Sequence, residues 1–171
     1  MSAVSVSEVR ARLAQVKLLA LDVDGVLTDG GLYYSDSGEE MKRFHVKDGQ
    51  GLKSLREVGI EVAIISGSAS QSTLHRAQTL GIMHTFVGTE DKLSTLKMLC
   101  QQLGLSLAQV AYVGDDVNDL PVMRAVGCPL TVADAMPENR ACALYVTKLG
   151  GGQGAVREIC DYLLKVQVER G

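Results

Sequence analysis

The sequence predicts an α/β fold of three layers, α/β/α, with helices on both faces of a mostly parallel sheet, and three observations predict it. Short apolar runs recur along the chain, separated by segments with helical periodicity. Helices between strands act as right-handed crossovers, which leave the strands parallel and covered on both faces. Acidic or Ser-Gly residues directly follow several of the runs, at the sheet edge where such folds bind ligands. The 171 residues hold no linker, repeat or low-complexity tract, so a single domain over 1–171 is expected.

Taken in order, Ser5 with Glu8 three residues on has the form of a capping box, which starts a short helix reaching about residue 15. Residues 17–23 are an apolar run entering an acidic turn and read as a buried strand. Tyr33 and Tyr34, the polar turn at 35–38 and the run 41–46 read as a hairpin, a flap covering about 30–47. Asp48 reads as either the cap of the next helix or a group near the site. Leu52, Leu55 and Val58 share a face of that helix, and Gly59 ends it.

Strands are then expected at 61–65, 85–87, 110–113, 130–132 and 144–146, alternating with helices over 70–80, 90–103, 118–125 and 155–166. The helix at 90–103 has the clearest stripe, Leu93, Leu96, Cys100 and Leu103, and Gly104 follows it. The intervals between strand ends hold a hairpin and single helices but no separate cap domain.

Composition excludes several classes. A net charge of −3 gives nucleic acid no basic surface, and 4% aromatic content without Trp leaves few rings for bases to stack on. The four cysteines are dispersed with no C-x-x-C pair, and the three histidines lack zinc-ligand spacing, so buried reduced thiols are expected. No apolar run is long enough to span a bilayer, and none has the form of a signal peptide. A cytoplasmic protein with no membrane partner is expected.

The sheet-edge rule selects Asp22 and Asp24, then Ser66 and Gly67, then Lys92, then Asp115, Asp116 and Asp119. Singly these are weak: a Gly-Asp-Asp turn usually serves only local backbone bonds, and a lysine at a helix start is usually solvated. In concert they place several carboxylates around one point, where mutual repulsion raises their pKa values unless a cation sits among them. Hard oxygen donors without a His or Cys cluster select Mg²⁺. A metal among carboxylates, with a lysine and a hydroxyl beside it, suits phosphoryl transfer.

The segments L-D-V-D-G-V-L-T-D-G at 21–30, Ser66, Lys92 and G-D-D-V-N-D at 114–119 resemble the four motifs of the haloacid dehalogenase superfamily. Longer stretches, 38–49, 110–116, 132–135 and 151–158, resemble its octulosonate 8-phosphate phosphatases, and the likeness covers about 18–164. The resemblance implies a Rossmann-like sheet and a Mg²⁺-dependent phosphatase. In it Asp22 is the nucleophile, Asp24 the general acid and base, and Ser66 and Lys92 hold the phosphoryl oxygens. Mg²⁺ takes the Asp22 and Asp115 carboxylates and the Asp24 backbone carbonyl, while Asp116 and Asp119 orient these groups.

The implied substrate is a small phosphorylated sugar acid, with Arg76 and Lys47 as cations for its carboxylate. Gly67 and Asp48 join the candidate substrate-binding residues, although each of Arg76 and Asp48 has an equally ordinary structural role. The resemblance also implies a homotetramer, in which hairpins of several subunits cover the site. Ser68 departs from the family pattern, which often has Arg there, and that bears on the substrate rather than on the reaction. A nonulosonate 9-phosphate phosphatase and a silent assembly domain are the rival readings. A signalling receiver domain does not fit, because its phosphate-accepting Asp lies on a later strand than its acidic pair.

Overall fold

The computed structural model describes residues 5–169. At its centre lies β1 (Leu18–Leu21), four apolar residues buried without exception. A strand apolar on both faces is stable only where both faces are covered, which is the middle of a parallel sheet. Accordingly β1 pairs in parallel with β4 (Glu61–Ile65) on one side and β6 (Val110–Val113) on the other. β5 (His84–Phe86) extends the sheet beyond β4, and β7 (Cys128–Thr131) and β8 (Tyr145–Val146) extend it beyond β6, giving the order β5-β4-β1-β6-β7-β8.

Alternation along β1 divides the core in two. Leu19 and Leu21 join one cluster with Leu13, Leu52, Leu55, Ile159 and Leu163, so the first helix α1 (Val6–Leu13), α2 (Val46–Glu57) and α7 (Ala155–Val168) cover that face. α3 (Gln71–Leu80) adds Ala77 and Leu80 to the same cluster. Leu18 and Ala20 join the other cluster with Leu96, Leu99, Val122 and Met123, carried by α4 (Lys92–Leu103) and α5 (Leu120–Ala125). The expected three-layer α/β/α arrangement is what the chain adopts. A separate two-stranded ribbon, β2 (Tyr33–Tyr34) and β3 (Glu40–Met41), is antiparallel. Its Leu32, Tyr33, Tyr34 and Met41 are 48–62% exposed, an apolar surface on a small element.

Ser5 caps α1 through the Glu8 amide, as its spacing predicts. Several expectations need correction. The run 41–46 is not a strand: pairing stops at Met41, and the chain then turns inward so that Lys42 and Phe44 pack against the domain. Val58 does not share the buried face of α2; it sits at the helix end and is 54% exposed. A short helix α6 (Pro137–Cys142), started by Pro137, was not expected in the segment after β7.

Asp48 does not cap α2. That position belongs to His45, whose Nδ1 accepts the Lys47 amide. Asp48 is instead 1% exposed and accepts the Arg157 amide at 2.8 Å, 109 residues away. α7 starts at Gly154, which has no capping side chain of its own, so a carboxylate of α2 supplies one of the bonds its free amides need. The two helices can meet because α2 offers Gly51 at the contact: a Cβ there would lie 2.9 Å from that of Cys160.

Candidate active site

The carboxyl ends of β1, β4 and β6 bring the acidic and polar residues together. Asp22 follows β1 directly, and its amide donates to Val113 O, which fixes its backbone against β6. The chain then turns sharply, with the amides of Val26, Leu27 and Thr28 all donating to Val23 O. The turn passes against Asp115 through Gly25, whose φ is +83° and where a Cβ would stand 2.0 Å from Asp115 Oδ2. Only glycine fits that backbone and that gap.

After β4, Ser66 is 1% exposed, its amide donates to Phe86 O, and its hydroxyl accepts the Ser68 amide at 3.2 Å. Lys92, the first residue of α4, is 4% exposed, and its Nζ lies 3.0 Å from Asp22 Oδ2 and 2.8 Å from Asp119 Oδ1. Burial alone would push the Lys92 pKa down, but the Asp22 and Asp119 charges outweigh it and hold it above its ordinary value. The lysine is a fixed cation.

Asp119 is fully buried and saturated with donors. Its Oδ1 accepts Lys92 and the Tyr112 hydroxyl, the latter at 2.6 Å, and its Oδ2 accepts the amides of Asp115 and Asp116. Such a carboxylate has no lone pair to spare for a ligand; it braces the loop and the lysine. Asp115 contrasts with it. Its Oδ1 is buried and has no hydrogen-bond partner, a costly state unless something else binds there. Asn139 of α6 holds the same loop by donating to Asp116 O at 2.7 Å, and Thr131 does so by donating to Gly114 O at 2.6 Å.

Carboxylate oxygens of Asp22, Asp115 and Asp119 lie within 4.8 Å of one another. Three carboxylates against the single Lys92 ammonium leave two negative charges. Burial, then the charge of Asp119, pushes Asp22 up to about 7, and burial, then Asp22, pushes Asp115 up to about 7. A divalent cation would remove both penalties and satisfy Asp115 Oδ1. With all-oxygen donors and no sulfur or imidazole, the residues fit Mg²⁺.

These groups open into a cleft of about 240 Å³ lined by Asp22, Asp24, Ser66, Gly67, Ser68, Lys92, Asp115, Asp116 and Asn118. Asp116 is exposed at its rim. A larger cleft, of about 540 Å³, lies between α2, β8 and α7 and contains none of the clustered carboxylates. The chemistry selects the smaller one.

The structure does not bring Lys47, Arg76 or Asp48 to the carboxylate cleft. Lys47 lines the larger one. Arg76 donates to His45 O at 3.3 Å and lies 5.8 Å over the Phe44 ring, and Asp48 is occupied with α7. Arg76 and Asp48 belong to the packing around α2, and Lys47 is exposed. One residue that holds two of the lining residues has no counterpart among those the sequence predicts. Lys42 Nζ contacts both oxygens of Asp24, at 2.7 and 2.9 Å, and Ser68 Oγ at 3.4 Å. Its only signal was its place in the 38–49 stretch, since nothing local relates it to Asp24.

The profile of the haloacid dehalogenase-like hydrolases matches residues 45–127. Among curated proteins, the 3-deoxy-D-manno-octulosonate 8-phosphate phosphatase KdsC of Escherichia coli strain B / BL21-DE3 is 47% identical over 94% of this chain and 86% of its own length. Among solved structures, the 3-deoxy-D-manno-octulosonate 8-phosphate phosphatase of Moraxella catarrhalis, in complex with magnesium ion, phosphate ion and KDO, superposes with a TM-score of 0.94. It is 42% identical, over 96% of this chain and 95% of that one. The cobalt-bound form of the deoxy-D-mannose-octulosonate 8-phosphate phosphatase YrbI from Haemophilus influenzae gives a TM-score of 0.89 at 41% identity, over 92% of each chain.

Proposed function

The chain belongs to the haloacid dehalogenase-like hydrolases, in the branch of the octulosonate 8-phosphate phosphatases, and we propose that it is a Mg²⁺-dependent phosphomonoester hydrolase acting on 3-deoxy-D-manno-octulosonate 8-phosphate. The observation that carries the reading is Asp22, a carboxylate fixed on one side by Lys92 and facing a small polar cleft on the other. Asp22 and Asp115, with the Asp24 backbone carbonyl, would hold Mg²⁺, which when bound offsets negative charge on the phosphoryl oxygens.

The residues then divide the work. An Asp22 oxygen attacks phosphorus, the bond to the sugar oxygen breaks with its electron pair, and Asp24 gives that oxygen a proton. The product is an aspartyl-phosphate, and Asp24, now a base, takes a proton from the water that attacks it. Phosphate leaves and Asp22 is regenerated. Lys92 and the Ser66 hydroxyl line the same cleft and would hold the phosphoryl oxygens, with Lys92 oriented by Asp119 and Ser66 by the β4 loop. Gly67 lines the cleft beside them.

The exposed hairpin surface supports a homotetramer in which ribbons pair between copies, because unpartnered strand edges with apolar faces otherwise promote aggregation. Among the described residues no helix is long and apolar enough to cross a membrane, which agrees with a place in the cytoplasm. The test is phosphate release from a panel of phosphorylated sugar acids with Mg²⁺, wild type beside Asp22→Asn. Turnover of the octulosonate ester that vanishes in Asp22→Asn and in EDTA is expected. Equal activity of the variant would overturn the mechanism, and preference for a nonulosonate 9-phosphate would overturn the substrate.

A further inference from the structure

We infer that Lys42 is a positioning residue for Asp24, so that the hairpin is a working part of the catalytic site as well as a cover for it; this rests on the phosphatase reading. The Lys42 side chain is 0% exposed, an uncommon state for a lysine, and its ammonium is fully engaged. Three donors meet three oxygens, Asp24 Oδ1, Asp24 Oδ2 and Ser68 Oγ, with Glu40 Oε1 further out at 3.5 Å. Among the described residues no other group hydrogen-bonds the Asp24 carboxylate. That carboxylate is 34% exposed, so without Lys42 it could rotate into water.

Lys42 is the residue after β3, Asp24 lies two residues beyond Asp22 on the β1 loop, and Ser68 is on the β4 loop. One ammonium therefore ties the ribbon to both loops that form the cleft. A buried Lys–Asp pair can also be a plain brace. This one holds a side chain whose orientation decides whether a proton reaches the leaving oxygen, and a misplacement of about 1 Å can cost on the order of 10²-fold in rate. Movement of the ribbon would move the acid.

The test separates positioning from bracing by leaving group. General acid help matters most for poor leaving groups, so kcat/KM, which reports the steps through phosphoryl transfer, is measured for a series of alkyl and aryl phosphates. Lys42→Met should lower it about 10- to 100-fold for sugar or alkyl phosphates and about 2-fold or less for p-nitrophenyl phosphate, whose anion leaves without a proton. In an Asp24→Asn background the same substitution should cost almost nothing more. Lys42→Gln, which keeps a neutral donor, is run beside it with circular dichroism and Tm, and should show the same split if Lys42→Met does not fold. A loss uniform across leaving groups, or one that adds fully to that of Asp24→Asn, would overturn the proposal. Activity surviving in Asp22→Asn would instead overturn the phosphatase reading itself.

Discussion

Removing the metal should make this protein less stable as pH rises, and the carboxylate cluster sets both the sign and the size. Asp22 and Asp115 both stand near 7 in the folded state against 3.8 for the ordinary carboxyl. Between those values the folded protein binds more protons than the unfolded chain, so this contribution is full at low pH and is lost as pH rises towards about 7. A shift of about three units on one carboxylate corresponds to roughly 4 kcal/mol. The pair is counted once, because Asp22 is itself a cause of the Asp115 shift and Asp115 is partly open to water. Between roughly pH 5 and pH 8 about two of those three units are lost, roughly 2.6 kcal/mol, which for a domain of this size is a fall in Tm of about 5–10 °C. Thermal unfolding in EDTA reads it directly. Saturating Mg²⁺ should restore much of the loss at about pH 8 and little at about pH 5, where protons compete for the same oxygens. Asp115→Asn should flatten the pH dependence and unfold at a higher temperature than the metal-free wild type near pH 8. A metal-free Tm that is level or rising over that range, or an Asp115→Asn slope equal to the wild type's, would refute the reasoning.

Two further outcomes are expected. Asp48→Ala removes a cap of α7 and leaves the Arg157 amide without its partner, so it should cost about 1–2 kcal/mol, or about 2–8 °C in Tm, with KM unchanged; a raised KM at unaltered Tm would return Asp48 to the substrate. Light scattering should show a tetramer that Tyr34→Lys, a charge on the exposed ribbon, dissociates with loss of activity, whereas a fully active monomeric wild type would remove the hairpin from assembly.

The sheet was legible because its strands are continuous apolar runs and its helices have single stripes; β6 lies at the residues its pattern predicts. The grouping of Asp22, Asp115, Ser66 and Lys92 was legible because each stands just past a strand or at a helix start, and parallel topology brings such positions to one edge. What was hidden depends on partners distant in sequence. Lys42 meets Asp24 across 18 residues, and Asp48 meets Arg157 across 109, and neither residue type at its position distinguishes a surface charge from a buried one. Asp48 stood in the first turn of α2, where an acid usually means a local cap. α6 is too short for a helical period to emerge, and its purpose, to present Asn139 to the Asp116 carbonyl, has no local signature. The segment 42–45 alternates like a strand because Lys42 and Phe44 both point inward, one to a carboxylate and one to the core.

The position of β1 between β4 and β6 has a consequence for synthesis on the ribosome. The central strand is made first, yet its β6 partner begins about 90 residues later, at Val110, and the α7 helix that closes one face comes last. At translation rates of about 5–20 residues per second, the most apolar strand waits on the order of ten seconds for its second neighbour. During that interval the nascent chain exposes an unpaired edge and an uncovered face, and chaperones that hold apolar segments have a defined stretch to protect. Asp22 and Asp24 are made at the end of that strand, so their negative charges flank it through the whole wait and discourage pairing between neighbouring nascent chains.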